Sequence, residues 1–146
     1  MKKILLLFVV VLLLVGCGGG SQVGDEDVVE IRERLFIAQV NDIRINADAY
    51  VGRVLRYEGL FQSFVWPGTG QTYYQVIRYA ADDCCGVDGI VGFEVYLGNV
   101  APLPDNSWVE VTGVLEWFEA GGEAFLRVAI VSLTELAERG AETVSM

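Results

Sequence analysis

The feature that most constrains this chain is a train of five apolar, β-branched or aromatic runs separated by short breaks rich in glycine, proline and asparagine. The clearest run, WVEVTGVLEWFE (108–119), sets Val109, Val111 and Leu115 on one side and Glu110, Thr112 and Glu116 on the other. That period of two is the signature of a half-buried strand. RVLRYEGLFQSF (53–64) likewise sets Leu55, Tyr57 and Phe61 against Arg56 and Glu58, and TYYQVIRYAA (72–81), GIVGFEVYLG (89–98) and AFLRVAIVSLTEL (124–136) complete the set. VWPGTGQ and AGGE read as turns, and NVAPLPDNS (99–107) as a longer connection. Gly59 and Gly113 interrupt two runs in the middle, as coiled strands require where a small barrel turns its corners. The strands are too few and too long for a seven-stranded sandwich. The pattern predicts an all-β fold, a small five-stranded OB-like barrel with one or two short helical turns.

The flanking segments are less regular. VVEIRERL (28–35) reads as a short helix or an irregular lead-in, and FIAQV (36–40) as a further strand. In NDIRINADAYVG (41–52), Asn46 is placed to cap one helical turn through Tyr50, which Gly52 ends. The polar tail after Leu136 reads as a short frayed helix.

The amino-terminal end carries a different signal. Lys2 and Lys3 precede an unbroken apolar stretch, residues 4–15, and then Gly16 and Cys17. Twelve helical residues span about 18 Å, short of a bilayer core of ~30 Å, so a secretory signal is expected rather than a permanent span. The ending LVGC resembles the bacterial lipobox, which implies that Cys17 becomes the first mature residue and carries the lipid. Residues 1–16 are thus expected to be a lipoprotein signal peptide. The Gly-rich, then acidic, residues 17–27 read as a flexible linker, and 28–146 as the barrel domain. Several acyl chains anchor a protein stably where a single one does not. The mature domain is expected in the bacterial cell envelope, outside the cytoplasm, where disulfides persist.

Charge narrows the partners. The chain has 20 acidic residues against 10 basic ones and no histidine, a formal net charge of −10. Cleavage before Cys17 removes both lysines and leaves eight arginines and a formal charge of −12. Nucleic acids are bound by neutralising phosphates with Lys and Arg, so nucleic acid is not an expected partner, and the membrane is reached through the lipid rather than through a basic patch.

Taken in order, NDIRINADAYVGRVLRYEGLF, CCGVDGIVGFEV and WVEVTGVLEW with the β-run that follows resemble a bacterial domain of uncharacterised function. That domain forms the C-terminal part of the accessory subunit of a two-component membrane permease. The resemblance covers roughly residues 36–135 and implies an OB-like fold and a membrane-protein partner. The chain departs from the family pattern in two places. A lipobox stands where membrane helices usually precede the domain, and Gly86-Val87-Asp88-Gly89 follows the Cys pair where Ala-Ala-Asp-Ala is usual.

Cys84 and Cys85 lie in DDCCGVDG with Asp82, Asp83 and Asp88. Three readings stand. The thiolates with one or two of the carboxylates suit zinc or copper, although the donor set is short of a four-ligand site unless the loop bends. Adjacent cysteines can instead form a strained, easily reduced vicinal disulfide. Or one thiol packs as a small hydrophobe while the other faces solvent. PGTGQT (67–72) lacks the lysine and spacing of a phosphate loop and reads as a turn.

The aromatics Trp66, Tyr73, Tyr74, Tyr79, Trp108 and Trp117 are candidates for a binding surface, since OB folds bind ligands across strands 2 and 3 and neighbouring loops. Without histidine no Ser-His or Cys-His set can be assembled, and no catalytic residue is expected. The reading that results is a lipid-anchored, extracytoplasmic binding or adaptor module, which the resemblance makes accessory to a permease. A metal-binding or redox protein using Cys84 and Cys85 stands beside it, as does a structural envelope lipoprotein with no small ligand.

Overall fold

The computed structural model describes residues 28–82 and 86–145. The expected signal, the Cys17 lipid site and the linker lie outside the described residues, as do Asp83, Cys84 and Cys85. The elements are β1 (Val28–Glu30), a 3-10 turn (Glu33–Leu35), α1 (Phe36–Ile45), α2 (Ala47–Tyr50), β2 (Val54–Val65), β3 (Thr72–Asp82), β4 (Gly86–Tyr96), β5 (Trp108–Ala120), β6 (Glu123–Glu135) and β7 (Thr143–Val144). The expected five-stranded barrel is present and closed. Its ring runs β2-β5-β6-β4-β3 and back to β2. Four of these contacts are antiparallel, and β4 runs parallel to β6.

Alternation fills the interior as expected. Leu55, Tyr57 and Phe61 of β2 and Val109, Val111 and Leu115 of β5 are buried in one cluster with Val76, Phe93, Val95 and Val128. The Tyr57 ring meets Phe36 and Phe93 edge-on at 6.0 and 6.1 Å. Burial pushes its phenol pKa far up, and its hydroxyl donates to the Val76 carbonyl at 3.3 Å. The mid-strand glycines sit where strands crowd. A Cβ on Gly59 would lie 2.7 Å from the Ile77 carbonyl oxygen, and one on Gly113 would overlap the Ala129 carbonyl at the point where the β5–β6 register shifts.

Four expectations about the flanks are corrected. FIAQV is the start of α1, not a strand. Phe36, Ile37, Val40 and Ile43 recur at helical spacing and are buried, so tertiary burial along a 3.6-residue period overrides the β-leaning composition. Fully burying a side chain such as Phe36 contributes about 1.5–3 kcal/mol. Gln39 secures the helix start by accepting from the Arg32 amide at 2.8 Å and donating to the Glu30 carbonyl at 2.9 Å. The lead-in is β1 followed by the 3-10 turn. Asn46 does stand before α2 but makes no side-chain cap; its carboxamide donates back to Asp42 at 2.7 Å. The tail is not helical. It runs back along the barrel and ends in β7, parallel to β3.

The seam between β2 and β3 explains why both ends are ordered. The two strands pair from Val65/Thr72 only as far as Leu60/Ile77. Beyond Gly59 they part, and the gap is filled by β1 alongside β2 and β7 alongside β3. Arg78, 2% exposed, plugs the gap. Its Nε donates to the Glu58 carbonyl at 2.9 Å, and its Nη1 to the Ala141 carbonyl at 3.0 Å and to Glu33 Oε2 at 3.1 Å. The guanidinium lies 4.8 Å from the Phe36 ring centre and 4.9 Å from that of Trp108. Side-chain bonds replace the missing ladder.

Candidate functional site

The most structured concavity of aromatic character forms on the outer face of the barrel, between the tips of two hairpins. In the β2–β3 hairpin the Trp66 amide donates to the Gln71 carbonyl at 2.9 Å and the Gly70 amide to the Trp66 carbonyl at 2.8 Å. This tight tip holds the Trp66 indole half-exposed and edge-on to Tyr73 at 6.4 Å. Tyr73 stacks in turn on Phe64 at 5.5 Å, and its hydroxyl donates to Gln71 Oε1 at 3.2 Å. The facing hairpin, β5–β6, turns through Gly121 and Gly122, with φ of 63° and 86°, values that favour glycine. Phe118 and Phe125 pair across it, ring centres 5.7 Å apart.

Between the hairpins β4 supplies Glu94. Its neighbours Phe93 and Val95 are buried in the core, so the pleat turns Glu94 outward. Trp66, Thr69, Tyr73, Glu94, Phe118 and Phe125 line a pocket of about 120 Å³. Burial raises the Glu94 pKa, opposed by the charge of Arg127. Arg127 itself is engaged elsewhere. Its Nε donates to Glu116 Oε1 at 2.7 Å, and its guanidinium lies 4.3 Å from the Tyr96 ring centre and 4.8 Å from that of Phe118. Among the described residues the Glu94 carboxylate accepts no hydrogen bond. The arrangement combines aromatic side chains, a type that stacks on flat or cationic groups, with an acceptor that is half-buried and lines the pocket.

The aromatics singled out from the sequence do not form one surface. Trp66 and Tyr73 belong to the groove. Tyr74 faces inward and stacks on Phe61 at 5.6 Å. Tyr79 packs on the Leu60, Ile77 and Trp108 cluster, and its hydroxyl accepts from Gln62 Nε2 at 3.1 Å. Trp108 is corrected outright. It is 1% exposed, its Nε1 donating to Glu58 Oε2 at 3.2 Å and its ring lying under Arg78. Trp117 is half-exposed but lines a separate shallow cleft with Arg44 and residues 45–49. Sequence reasoning passed over Glu94, Phe118, Phe125 and Arg127. Phe118 alone carried a signal, a parity opposite to that of Val109, Val111 and Leu115; no face had been assigned in the runs that hold Glu94, Phe125 and Arg127.

Of the Cys-Cys loop, Asp83, Cys84 and Cys85 lie outside the described residues, and for Asp82 and Asp88 the backbone alone is described. Among the described residues no three metal-ligating side chains cluster, and no helix is long and apolar enough to cross a membrane. A larger, open cleft of about 740 Å³ beside β1 is lined by Glu30, Glu33, Glu58 and Glu110 together with Arg32, Arg34, Arg56 and Arg78. Its charges are mixed, and Arg78 is committed to the seam.

No curated protein matches the chain. Residues 20–139, well over half of the sequence, match the family model of the DUF1980 C-terminal domain. That match covers every strand of the closed barrel, both groove hairpins and Arg78, and on it the chain belongs to the DUF1980 C-terminal domain family.

Proposed function

We propose that the chain is a lipid-anchored, extracytoplasmic adaptor, accessory to a membrane permease, that meets a protein partner through the groove between its two hairpins. The carrying observation is where that groove lies. Numbering the barrel strands β2 to β6 as one to five gives the ring 1-2-3-5-4-1, which supports the OB-like reading. Such barrels bind over the face of strands 2 and 3, between the loops joining strands 1 to 2 and 4 to 5. In this chain those are the outer face of β3 and β4 and the hairpin tips at 66–71 and 121–122, the elements that enclose Trp66, Glu94 and Phe125. The acidic balance of 20 to 10 turns the same face away from polyanions and toward a protein. The LVGC ending supports the anchor, and the resemblance to the permease accessory subunit supports the partner class.

The test places a photo-cross-linking residue at position 66 or at position 117 of the full chain in native membranes. The expected result is one membrane-protein adduct from position 66 and none from 117. Equal labelling from both sites overturns the groove as the contact, and failure of radiolabelled palmitate to attach at Cys17 overturns the anchor.

A further inference from the structure

We propose that the groove takes a basic side chain, the ammonium of a lysine or the guanidinium of an arginine, presented by a segment of the protein partner and neutralised by Glu94. The inference rests on the adaptor reading and names the chemistry of its contact.

Three observations converge on a cation. Glu94 is half-buried, opens into the pocket and accepts no hydrogen bond among the described residues. A partly desolvated carboxylate without donors is costly, and a charged donor removes that cost. The walls are aromatic. Trp66 and Tyr73 stand on one side, Phe118 and Phe125 on the other, and an organic cation is attracted to aromatic rings most strongly where water is excluded. The same surface already holds one cation in this manner, since Arg127 stacks on Tyr96 and Phe118 next to the pocket while its charge is answered by Glu116. Arg127 thus has Glu116 as its hydrogen-bonded carboxylate, and Glu94, its register partner across β4 and β6, feels its charge but takes no hydrogen bond from it.

Size agrees. A pocket of about 120 Å³ holds about four waters, each taking ≈ 30 Å³ of liquid volume. That is room for a charged head group and its last methylenes, and too little for a sugar ring with its hydroxyls solvated. The lining also lacks the basic side chains that an anionic ligand needs. A further support is global, the excess of 20 acidic over 10 basic residues, which steers a basic segment toward the chain.

The full chain in a maltoside detergent is titrated by NMR with short blocked peptides that are identical except for one residue, lysine, arginine or norleucine. The Trp66 indole and the Phe125 and Glu94 signals are expected to shift with the lysine and arginine peptides at millimolar concentration and to stay put with norleucine. Glu94→Gln, whose unperturbed core signals establish folding, is expected to weaken binding about tenfold, and Trp117→Ala to leave it unchanged. Equal binding of norleucine and lysine, or undiminished binding by Glu94→Gln, overturns the proposal while leaving the adaptor reading standing. Tetramethylammonium bound more tightly than either basic peptide also overturns it, since the site would then serve a free small cation. Loss of the position-66 cross-link with the lysine titration intact overturns the adaptor reading instead.

Discussion

Two arginines of this barrel are stacked on aromatic rings, and their settings differ in what water can reach. Arg78 lies between Phe36 and Trp108 with three hydrogen bonds to Glu58, Glu33 and Ala141 and almost no exposure. Arg127 lies over Tyr96 and Phe118 with one carboxylate partner, its side chain 24% exposed. The first completes the fold, because its bonds to Glu58, Glu33 and Ala141 tie the parted strands β2 and β3 to each other and to both flanking segments. The second sits at the rim of a groove that is still open beside it. Similar ring–cation chemistry therefore serves closure at Arg78, whose bonds all run to groups of the fold, and on the proposed reading serves recognition beside Arg127, where a neighbouring acceptor is open.

The comparison breaks most visibly at Trp108. Trp108→Ala removes one of the rings under Arg78 and the donor to Glu58, and is expected to cost about 3–5 kcal/mol in urea unfolding. Trp66→Ala, in the groove, should stay within about 0.5 kcal/mol. Equal losses would mean that the groove is part of the core and not a surface kept for contact.

The pH dependence sharpens the contrast, because the two regions carry opposite signs. The Ala141 amide, followed by Arg78, holds Glu33 below its ordinary 4.5. Its contribution is complete above that value and is lost as pH falls through the folded value. Glu94 is raised by burial, with Arg127 opposing. Its contribution is complete below the ordinary 4.5 and is lost as pH rises through the folded value. Unfolding free energies measured between neutral pH and roughly pH 3 should therefore decline less on acidification in Glu33→Gln than in the unaltered chain. Glu94→Gln should remove a loss on the rising side. An identical profile for Glu33→Gln would show that the tail is held without that carboxylate.

The smallest effect is expected at the rim. Arg127→Gln gives up a partly exposed pair with Glu116 and should cost about 0.2–1 kcal/mol, measured by the same urea titration. A loss as large as that of Trp108→Ala would place Arg127 among the residues that hold the barrel shut.

Much of the barrel was legible because alternation in β2 and β5 is unambiguous and because Gly59 and Gly113 fall where coiled strands touch. The first helix was not. Phe36, Ile37, Val40 and Ile43 carry the helical spacing, but FIAQV read alone has the composition of a strand, and the competing period emerges only when the window extends to Ile43. β7 is two residues long and has no period to read. Arg78 shares the parity of Tyr74 and Val76, which the structure turns inward, yet no face had been assigned in that run, and a lone arginine in a β-run looks like an exposed one until a ring and a carbonyl are found for it. The groove was legible in part. Trp66 and Tyr73 stand out by type, whereas Glu94, Phe118 and Phe125 come from two other strands that only closure of the barrel brings beside them.

The bond between Glu33 and the Ala141 amide, 3.0 Å long and spanning 108 residues of sequence, makes the two extremities of the barrel neighbours in space. Val28 lies beside the first residue of β2 and Val144 beside β3 near its last, so the first and last strands of the described domain sit in the same quarter of its surface. A domain excised for study must retain both extremities, because trimming either one reopens the gap that Arg78 closes. A circular permutant that joins them through a short linker and starts at the β5–β6 turn would keep the latch and cut through one wall of the groove.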